Sequence, residues 1–280
     1  MSRLLSADFA KLWKNIFFRL CMIGMFLFGI YMKVMDYVSS TQYGFTASLS
    51  SMLTIYIFVL VFMIPAFVSL FVGTEYSDGT IRNKLIIGHT RLSIYLSNLI
   101  TGVAAALIFT AAYLIAGLAV GIPLCGVTGV NYRELVTLLL LSIVTMTATV
   151  SLSTLVGMLC QNRAVTAVAN ILAILFLLVM SIYISARLNE PEYYQSVTAL
   201  ADDGTITEIA EEKNPSYLRG TERKVYEFLD EFIPTSQAVS ITRGSVNDYS
   251  AVARMAGYSA GIIIVSTAVG IFVFRKKDLK

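Results

Sequence analysis

Long stretches without charge constrain this chain more than any other feature. Asp, Glu, Lys and Arg are absent from five of them: 37–74, 92–132, 135–162, 164–186 and 255–274. A shorter apolar stretch lies between Arg19 and Lys33. Because about 20 apolar residues form a helix long enough to cross the hydrocarbon of a bilayer, we predict an all-α integral membrane protein. Its six transmembrane helices are expected at 20–38, 52–73, 95–121, 135–159, 165–186 and 253–274.

The composition agrees with a membrane protein and argues against several other classes. Hydrophobic residues make up 56% of the chain and charged residues 14%, against roughly 25% charged residues in a typical soluble domain. The formal net charge of +3 gives no bulk field for nucleic acid, so no nucleic-acid partner is expected. The three cysteines are widely spaced and there is one histidine, so we expect neither a disulfide framework nor a metal site.

The basic residues predict the orientation. With both termini in the cytoplasm, the cytoplasmic side carries 12 basic and 4 acidic residues, whereas the outer side carries 9 basic and 14 acidic residues. Cytoplasmic loops are enriched in Lys and Arg, and six spans place both termini on one side. We therefore expect a multi-pass protein of a bacterial plasma membrane, with both termini cytoplasmic and an extracellular segment between spans five and six.

This topology divides the chain into four parts. Residues 1–19 are predicted to form an amphipathic helix in the membrane interface, and 20–186 to hold spans one to five with a cytoplasmic loop at 74–94. Residues 187–252 form the extracellular segment, and 253–280 hold span six and a basic tail. The interfacial helix is expected to bury the face formed by Leu5, Phe9, Leu12, Trp13 and Ile16.

The extracellular segment contains one strong helical pattern. Thr221 is expected to cap a helix with an apolar stripe that packs on the outer ends of the spans, and Pro234 to end it. The stripe comprises Val225, Phe228, Leu229 and Phe232.

The fourth span has one hydroxyl-bearing face, made of Ser142, Thr145, Thr149 and Ser153. Two interpretations stay open: the hydroxyls bond back to carbonyls one turn earlier and allow close helix packing, or they line a mildly polar translocation path. The Gly-x-x-x-Gly pairs Gly117/Gly121 and Gly257/Gly261 are interpreted as packing sites within the chain, which are more common than the alternative, a seam between two copies.

The loop at 74–94 is predicted to form a short amphipathic helix parallel to the membrane. Acidic and capping residues come first, at Glu75, Asp78, Gly79 and Thr80, and basic residues follow at Arg82, Lys84 and Arg91. Ile81, Leu85 and Ile86 are expected to form its apolar underside, with Arg82 and Lys84 facing a partner.

This loop resembles the coupling helix of type-2 permease subunits of ATP-binding-cassette transporters, the ABC-2 family. The resemblance rests on Glu-x-x-x-Gly-Thr followed by a turn and Arg, between spans two and three of six. The N-terminal helix and FIPTSQAVSI at 232–241 are similar to the same family. Carried over by position, Glu75, Gly79, Thr80 and Arg91 match the pattern, whereas Gly88 stands where many members have Pro.

The resemblance implies a passive permease driven by a separate ATPase subunit. The chain contains no Gly-Lys dipeptide, so it lacks the phosphate-binding loop of an ATPase. ATP and Mg²⁺ are expected on the partner ATPase, and no cofactor or catalytic residue is expected in this chain. A second permease copy, either a homodimer or a paired permease, and membrane lipids are the other expected partners.

The expected function is export of a peptide or another amphipathic cargo, because the spans offer apolar and hydroxyl surface without fixed charge. Ion-coupled transport and intramembrane acid–base catalysis need ionisable groups at membrane depth, and five spans have none. The alternative is a non-transporting immunity or sensor protein whose outer segment binds a toxin or partner. An intramembrane enzyme is the poorer third interpretation.

Overall fold

A computed structural model gives the fold for most of the chain. It describes residues 1–44, 49, 53–126, 131–160, 162–194, 198–200, 206–208, 212–244, 246 and 248–277. The helices are α1 (Ser2–Lys14), α2 (Ile16–Tyr43), α3 (Tyr56–Ser77), α4 (Thr80–Ile86), α5 (Arg91–Cys125), α6 (Tyr132–Leu159), α7 (Arg163–Leu188), α8 (Gly220–Phe232), α9 (Pro234–Arg243) and α10 (Tyr249–Lys276).

Six of these helices are long and apolar enough to cross a membrane, namely α2, α3, α5, α6, α7 and α10. This confirms the predicted all-α architecture with six candidate spans. In the described part of the chain, five of the six start at a residue whose side chain accepts a backbone N–H of the first turn. These caps are Asn15, Thr90, Asn131, Asn162 and Asp248, and such caps satisfy N–H groups that have no partner within the helix.

The spans differ in how much they are enclosed by the rest of the bundle. α3 is central, with 61% of its most apolar window buried, and α6 follows with 50%. α2, α7 and α10 are peripheral, each with 22% buried. α2 packs along α5, α10 along α6, and α3 against both α6 and α7.

The side of α1 that is buried against the bundle includes one residue of the predicted apolar face, Leu12. Leu4, Asp8 and Leu12 are its buried residues, and they follow one another at four-residue spacing. Trp13 and Ile16 are more than half exposed. Asp8 lies on the side of α1 that faces the bundle, because its carboxylate has partners there.

The segment between α7 and α10 begins with two short antiparallel strand pairs. β1 (Tyr193–Tyr194) pairs with β4 (Glu212–Lys213), and β2 (Thr198–Leu200) pairs with β3 (Ile206–Glu208). The predicted helix follows as α8, which starts at Gly220 with Arg219 as its cap, so the expectation that Thr221 caps it is wrong. The expected apolar stripe is only partly covered, because Val225 and Phe228 are about half exposed.

Part of the segment predicted to be extracellular packs inside the bundle instead. Every residue of α9 from Pro234 to Ile241 is buried, and α9 contacts α3, α6 and α7. Its partner Thr145 lies about 20 Å along α6 from Tyr132, at about 1.5 Å per residue. A charged segment could not enter the bundle this far, but α9 from 234 to 241 carries neutral side chains.

Candidate functional site

The loop between α3 and α5 is shaped by two glycines in the left-handed region. α3 ends at Ser77 with Asp78 as its cap, and Gly79 has φ of 66° at the start of α4. Gly88 has φ of 96° and accompanies two backbone bonds that end α4, from Gly88 to Leu85 and from His89 to Lys84. Proline is restricted to φ near −65°, so the turn after α4 could not hold Pro at position 88. Many members of the family that the loop resembles have Pro there, and this chain has Gly88.

A buried charge cluster lies beneath α4. The ammonium of Lys84 donates to Asp8 Oδ1 at 2.7 Å and to Glu75 Oε1 at 2.8 Å. Lys11 lies 3.3 Å from the same Glu75 oxygen. Glu75 is fully buried, Asp8 is 2% exposed and Lys84 is 8% exposed. The cluster therefore joins α1, α3 and α4 through ion pairs that are largely shielded from water.

Two neutral residues of α5 complete this cluster. Ser97 donates to Asp8 Oδ2 at 2.5 Å, and Asn98 Nδ2 donates to Glu75 Oε2 at 3.0 Å. Each carboxylate is thus bonded at both oxygens. Burial of a charge is tolerated when it is paired and hydrogen-bonded, and here two carboxylates face two ammonium groups. The arrangement makes one electrically balanced unit from four helices.

The structure corrects the expected orientation of α4. Lys84 faces inward instead of towards a partner, since Ile81, Lys84 and Leu85 share the side that contacts the bundle. The expectation that Ile86 lies underneath is also wrong, because Ile86 is 75% exposed and Ile87 77% exposed. The side of α4 and its C-cap that faces away from the bundle consists of Arg82, Asn83, Ile86 and Ile87, all of which are exposed. We call it the α4 tip.

Arg91, the last residue of the predicted coupling pattern, contacts the end of α10. Its guanidinium donates to the carbonyl of Phe274 at 2.7 Å and to those of Arg275 and Lys277, at the end of α10. Unpaired carbonyls at a helix C-terminus carry partial negative charge, which favours a cation there. Lys277 donates in turn to the last carbonyls of α6. Arg91 thus ties α5 to α10 and is engaged within the chain.

The remaining predicted coupling residues, Asp78 and Thr80, flank Gly79 at the water-facing side of the α3–α4 turn. Asp78 is exposed, and its Oδ1 accepts from Ser77 at 3.3 Å. Thr80 is half-buried at the first position of α4. Both residues set the geometry of the turn from which the α4 tip projects.

The hydroxyl face of α6 lies inside the bundle. Ser142, Thr145, Thr149 and Ser153 are each at most 3% exposed, and each donates to a carbonyl three or four residues earlier. Ser142 also bonds Tyr56 of α3, and Thr145 shares its single hydroxyl proton between the carbonyl of Leu141 and the amide oxygen of Gln237 in α9. These contacts agree with the first interpretation, in which the hydroxyls bond back to carbonyls one turn earlier and allow close helix packing. Thr149 and Ser153 additionally line a cavity of about 170 Å³ between α3, α6, α7 and α9.

Sequence reasoning missed four residues of the charge cluster: Asp8, Lys11, Ser97 and Asn98. One signal was present for Asp8, which sits between Leu4 and Leu12 on the same helical face. A carboxylate in the middle of an apolar stripe requires a buried cation or donors. No comparable signal marks Ser97 and Asn98, because short polar residues are ordinary at the end of a span.

Comparison with known proteins does not assign the chain to a family. No protein-family model matches the chain, and no curated protein matches it.

Proposed function

We propose that this chain is the membrane-spanning permease subunit of an ATP-driven exporter, energised by a separate ATP-binding-cassette ATPase. The proposal combines six candidate spans with the α4 tip and the charge cluster beneath it. In this proposal both termini and the α4 tip face the cytoplasm of a bacterial cell. Two permease copies and two ATPases form the working unit.

The exposed isoleucine pair of the α4 tip carries this proposal. Ile86 and Ile87 are each at least three-quarters exposed, although they lie in a short loop helix rather than on a span. Adjacent large apolar residues exposed beside a cation are typical of protein–protein contacts. A pocket on the ATPase would cover both isoleucines, and Arg82 would meet an acidic group at its rim.

The charge cluster supplies the mechanical connection that this role needs. Displacement of α4 by a partner pulls on Lys84, whose ammonium is bonded to both α1 and α3. Because Ser97 and Asn98 of α5 hold the same two carboxylates, the movement reaches a third helix. An ATPase acting on the α4 tip would therefore shift α1, α3 and α5 together.

The cargo we propose is a peptide or another amphipathic molecule. In the proposed cycle the helices separate along the hydroxyl face of α6, which is closed in this structure, and expose Thr149 and Ser153. The cavity that these two residues line is mainly apolar, and Asn170 and Thr235 also contribute to it. Such a surface suits a cargo with apolar and hydrogen-bonding groups.

Purification of the tagged full chain from its native membranes tests the proposal. We expect a subunit with a phosphate-binding loop to copurify and to hydrolyse ATP. Changing both Ile86 and Ile87 to Ser should lower its binding at least about 30-fold, since central apolar contacts at interfaces are worth about 2 kcal/mol or more. The measurement is the ATPase-to-permease ratio with the vanadate-sensitive ATPase activity.

Asn83→Ala provides the control, because Asn83 is exposed on the same helix and lacks an apolar side chain. We expect it to retain the ATPase. If a correctly inserted wild-type chain brings no ATP-hydrolysing subunit with it, the proposal is wrong. Specific binding of a toxin to the segment 187–252 would then favour the immunity or sensor alternative.

A further inference from the structure

The two Gly-x-x-x-Gly pairs of the chain have different surroundings. A Cβ atom at Gly121 would lie 2.8 Å from Leu49 and 3.2 Å from Lys33, so Gly117 and Gly121 permit close packing within the chain. At Gly257 and Gly261 of α10, no side chain and no neighbouring element among the described residues comes within 4 Å of such an atom. The interpretation as packing sites within the chain therefore fails for this second pair.

The open space at Gly257 and Gly261 belongs to an apolar groove of about 440 Å³. α10 forms one wall, which continues through Val265 to Val269, and α6 contributes Leu152 and Leu155. Ser266 also lines the groove, but its hydroxyl is already bonded to Ser151 of α6 at 2.9 Å. Among the described residues, no Asp, Glu, His, Lys or Arg lines the groove.

Aromatic rings close one end of this groove. Phe232 of α8 and Tyr258 of α10 both line it, and their ring centroids lie 5.8 Å apart. Arg254, one helical turn beyond Tyr258, forms an ion pair with Glu231 at 2.6 Å. The groove thus runs from a charged and aromatic end near α8 into a purely apolar region.

The charges on α10 place the groove within the hydrocarbon of a bilayer. Arg254 and Arg275 are separated by about 31 Å along the helix, close to the roughly 30 Å thickness of that region. From Gly257 to Val269 the groove extends about 18 Å. Its length therefore slightly exceeds the depth of about 15 Å that the acyl chains of one leaflet occupy.

The volume matches one long hydrocarbon chain. An apolar cavity of about 150 Å³ holds a benzene ring of six carbons, so about 440 Å³ scales to roughly 18 carbons. A helix of a second copy is too thick for such a space, because an α-helix with side chains is about 10–12 Å wide. Only its side-chain tips could enter.

We propose that this groove binds one acyl chain of a membrane phospholipid, with the headgroup beside Arg254 and Glu231. The lipid lies between α6 and α10, beneath Phe232, and remains bound when annular lipids exchange. The site requires only that the chain spans a membrane and is independent of any ATPase.

Retention of phospholipid by the full-length protein tests this proposal. The protein is purified in detergent, washed until free lipid is removed, and analysed for phospholipid by mass spectrometry. We expect about one phospholipid per chain. Changing Gly257 and Gly261 together to Leu fills the groove and should reduce retained lipid at least fivefold. Changing Ala260 and Ala268 to Leu is the matched control, because both are exposed on α10 outside the groove.

A second measurement does not depend on how the variants fold. Wild-type protein in phosphatidylglycerol vesicles containing an analogue with a diazirine in its acyl chain is irradiated, and adducts are mapped. Adducts concentrated on 152–155 and 257–269 support the proposal. Adducts spread evenly over exposed positions of α7 such as Phe176 and Val179, or equal lipid retention by both double variants, overturn it. So does disulfide crosslinking between copies through Gly261→Cys in a chain without its native cysteines, because a second copy would then cover the groove.

Discussion

Two short helices, α4 and α9, lie towards opposite ends of the bundle and are held in contrasting ways. α4 buries Ile81 and Lys84 and leaves the α4 tip exposed. α9 buries every residue from Pro234 to Ile241. The buried polar contacts of α4 are ion pairs, whereas most of those of α9 join neutral groups, the exception being the bond from Ser240 to Asp230.

Gln237 illustrates the neutral arrangement. Its amide nitrogen donates to the carbonyls of Glu231 and Met255, and its amide oxygen accepts from Thr145 and Ser259. The four hydrogen bonds of the Gln237 amide therefore reach α6, α10 and the end of α8. An uncharged side chain can be fully satisfied at this depth, whereas a charge would carry a large desolvation cost. The comparison shows that α9 is held by contacts on all sides, whereas α4 leaves the α4 tip exposed.

The largest expected effect comes from removing the cation at the centre of the cluster beneath α4. Lys84→Met leaves Asp8 and Glu75 with Lys11 as the remaining cation of the cluster. Breaking a buried ion pair by removing one partner costs about 3–5 kcal/mol. We expect a loss of stability of that size, measured as the unfolding free energy of the purified protein in detergent.

Arg82→Met is the matched control for this experiment, because Arg82 is exposed on the same helix. We expect it to change stability by less than about 0.5 kcal/mol. Adding Asp8→Asn to Lys84→Met restores charge balance and should recover part of the loss. Equal stability of the Lys84 and Arg82 variants would show that the cluster contributes nothing and would remove the contrast with α9.

The sequence predicts the spans well and the short helices less well. Uncharged stretches of sufficient length identify five of the six spans, and a shorter apolar stretch between Arg19 and Lys33 identifies the first. α9 is harder to predict, since it is too short to span and its polar residues are typical of an exposed loop. Its burial is favourable because α6, α7 and α10 supply hydrogen-bond partners, and those contacts join residues far apart in the chain.

The candidate site shows the same limit. The loop 74–94 is recognisable from its glycines and charges, but which side of α4 faces inward depends on Asp8, 76 residues away in sequence. Without that contact, Arg82 and Lys84 look equivalent. Similarly, nothing local indicates that Arg91 contacts the end of α10. Burial of charge is decided by partners that a local pattern does not contain.

A smaller effect is expected from Gln237→Leu, which tests the neutral side of the comparison. Hydrogen bonds between membrane helices average about 0.6 kcal/mol each, so loss of four bonds should cost about 2 kcal/mol. The same unfolding measurement checks it.

A matched pair on α6 separates the contribution of α9 from local effects. Both Thr145 and Thr147 bond a carbonyl four residues earlier, but Thr145 also reaches Gln237.

We therefore expect Thr145→Val to be destabilising and Thr147→Val to be nearly neutral. If Gln237→Leu is as costly as Lys84→Met, neutral and charged anchoring are energetically equivalent, contrary to the comparison.

The smallest effect concerns Asp230, a carboxylate of α8 that contacts α9. Its Oδ2 accepts from Ser240 at 2.8 Å, and its Oδ1 is buried without a hydrogen-bond partner among the described residues. Burial raises the pKa of Asp230 above its ordinary value, and Glu231 adds to this while Ser240 and Arg243 oppose it. Ionisation of Asp230 therefore has a net free-energy cost in the folded protein.

The sign of the pH dependence follows from linkage. Below the ordinary pKa of Asp, the carboxyl is protonated in both folded and unfolded states, so its burial has no charge penalty. As the pH rises through the raised pKa, the folded state is increasingly disfavoured. Asp230→Asn should therefore raise the thermal unfolding midpoint at pH 7, and the gain should shrink towards pH 4.

Asp248→Asn provides a control of opposite sign, because hydrogen bonds from Ser250 lower the pKa of Asp248. It should lower the midpoint at pH 7 and lose its effect in acid. If the gain in the unfolding midpoint for Asp230→Asn does not depend on pH, the desolvated charge of Asp230 is not its cause. In that case a carboxylate next to α9 is accommodated no less readily than the carboxylates beneath α4.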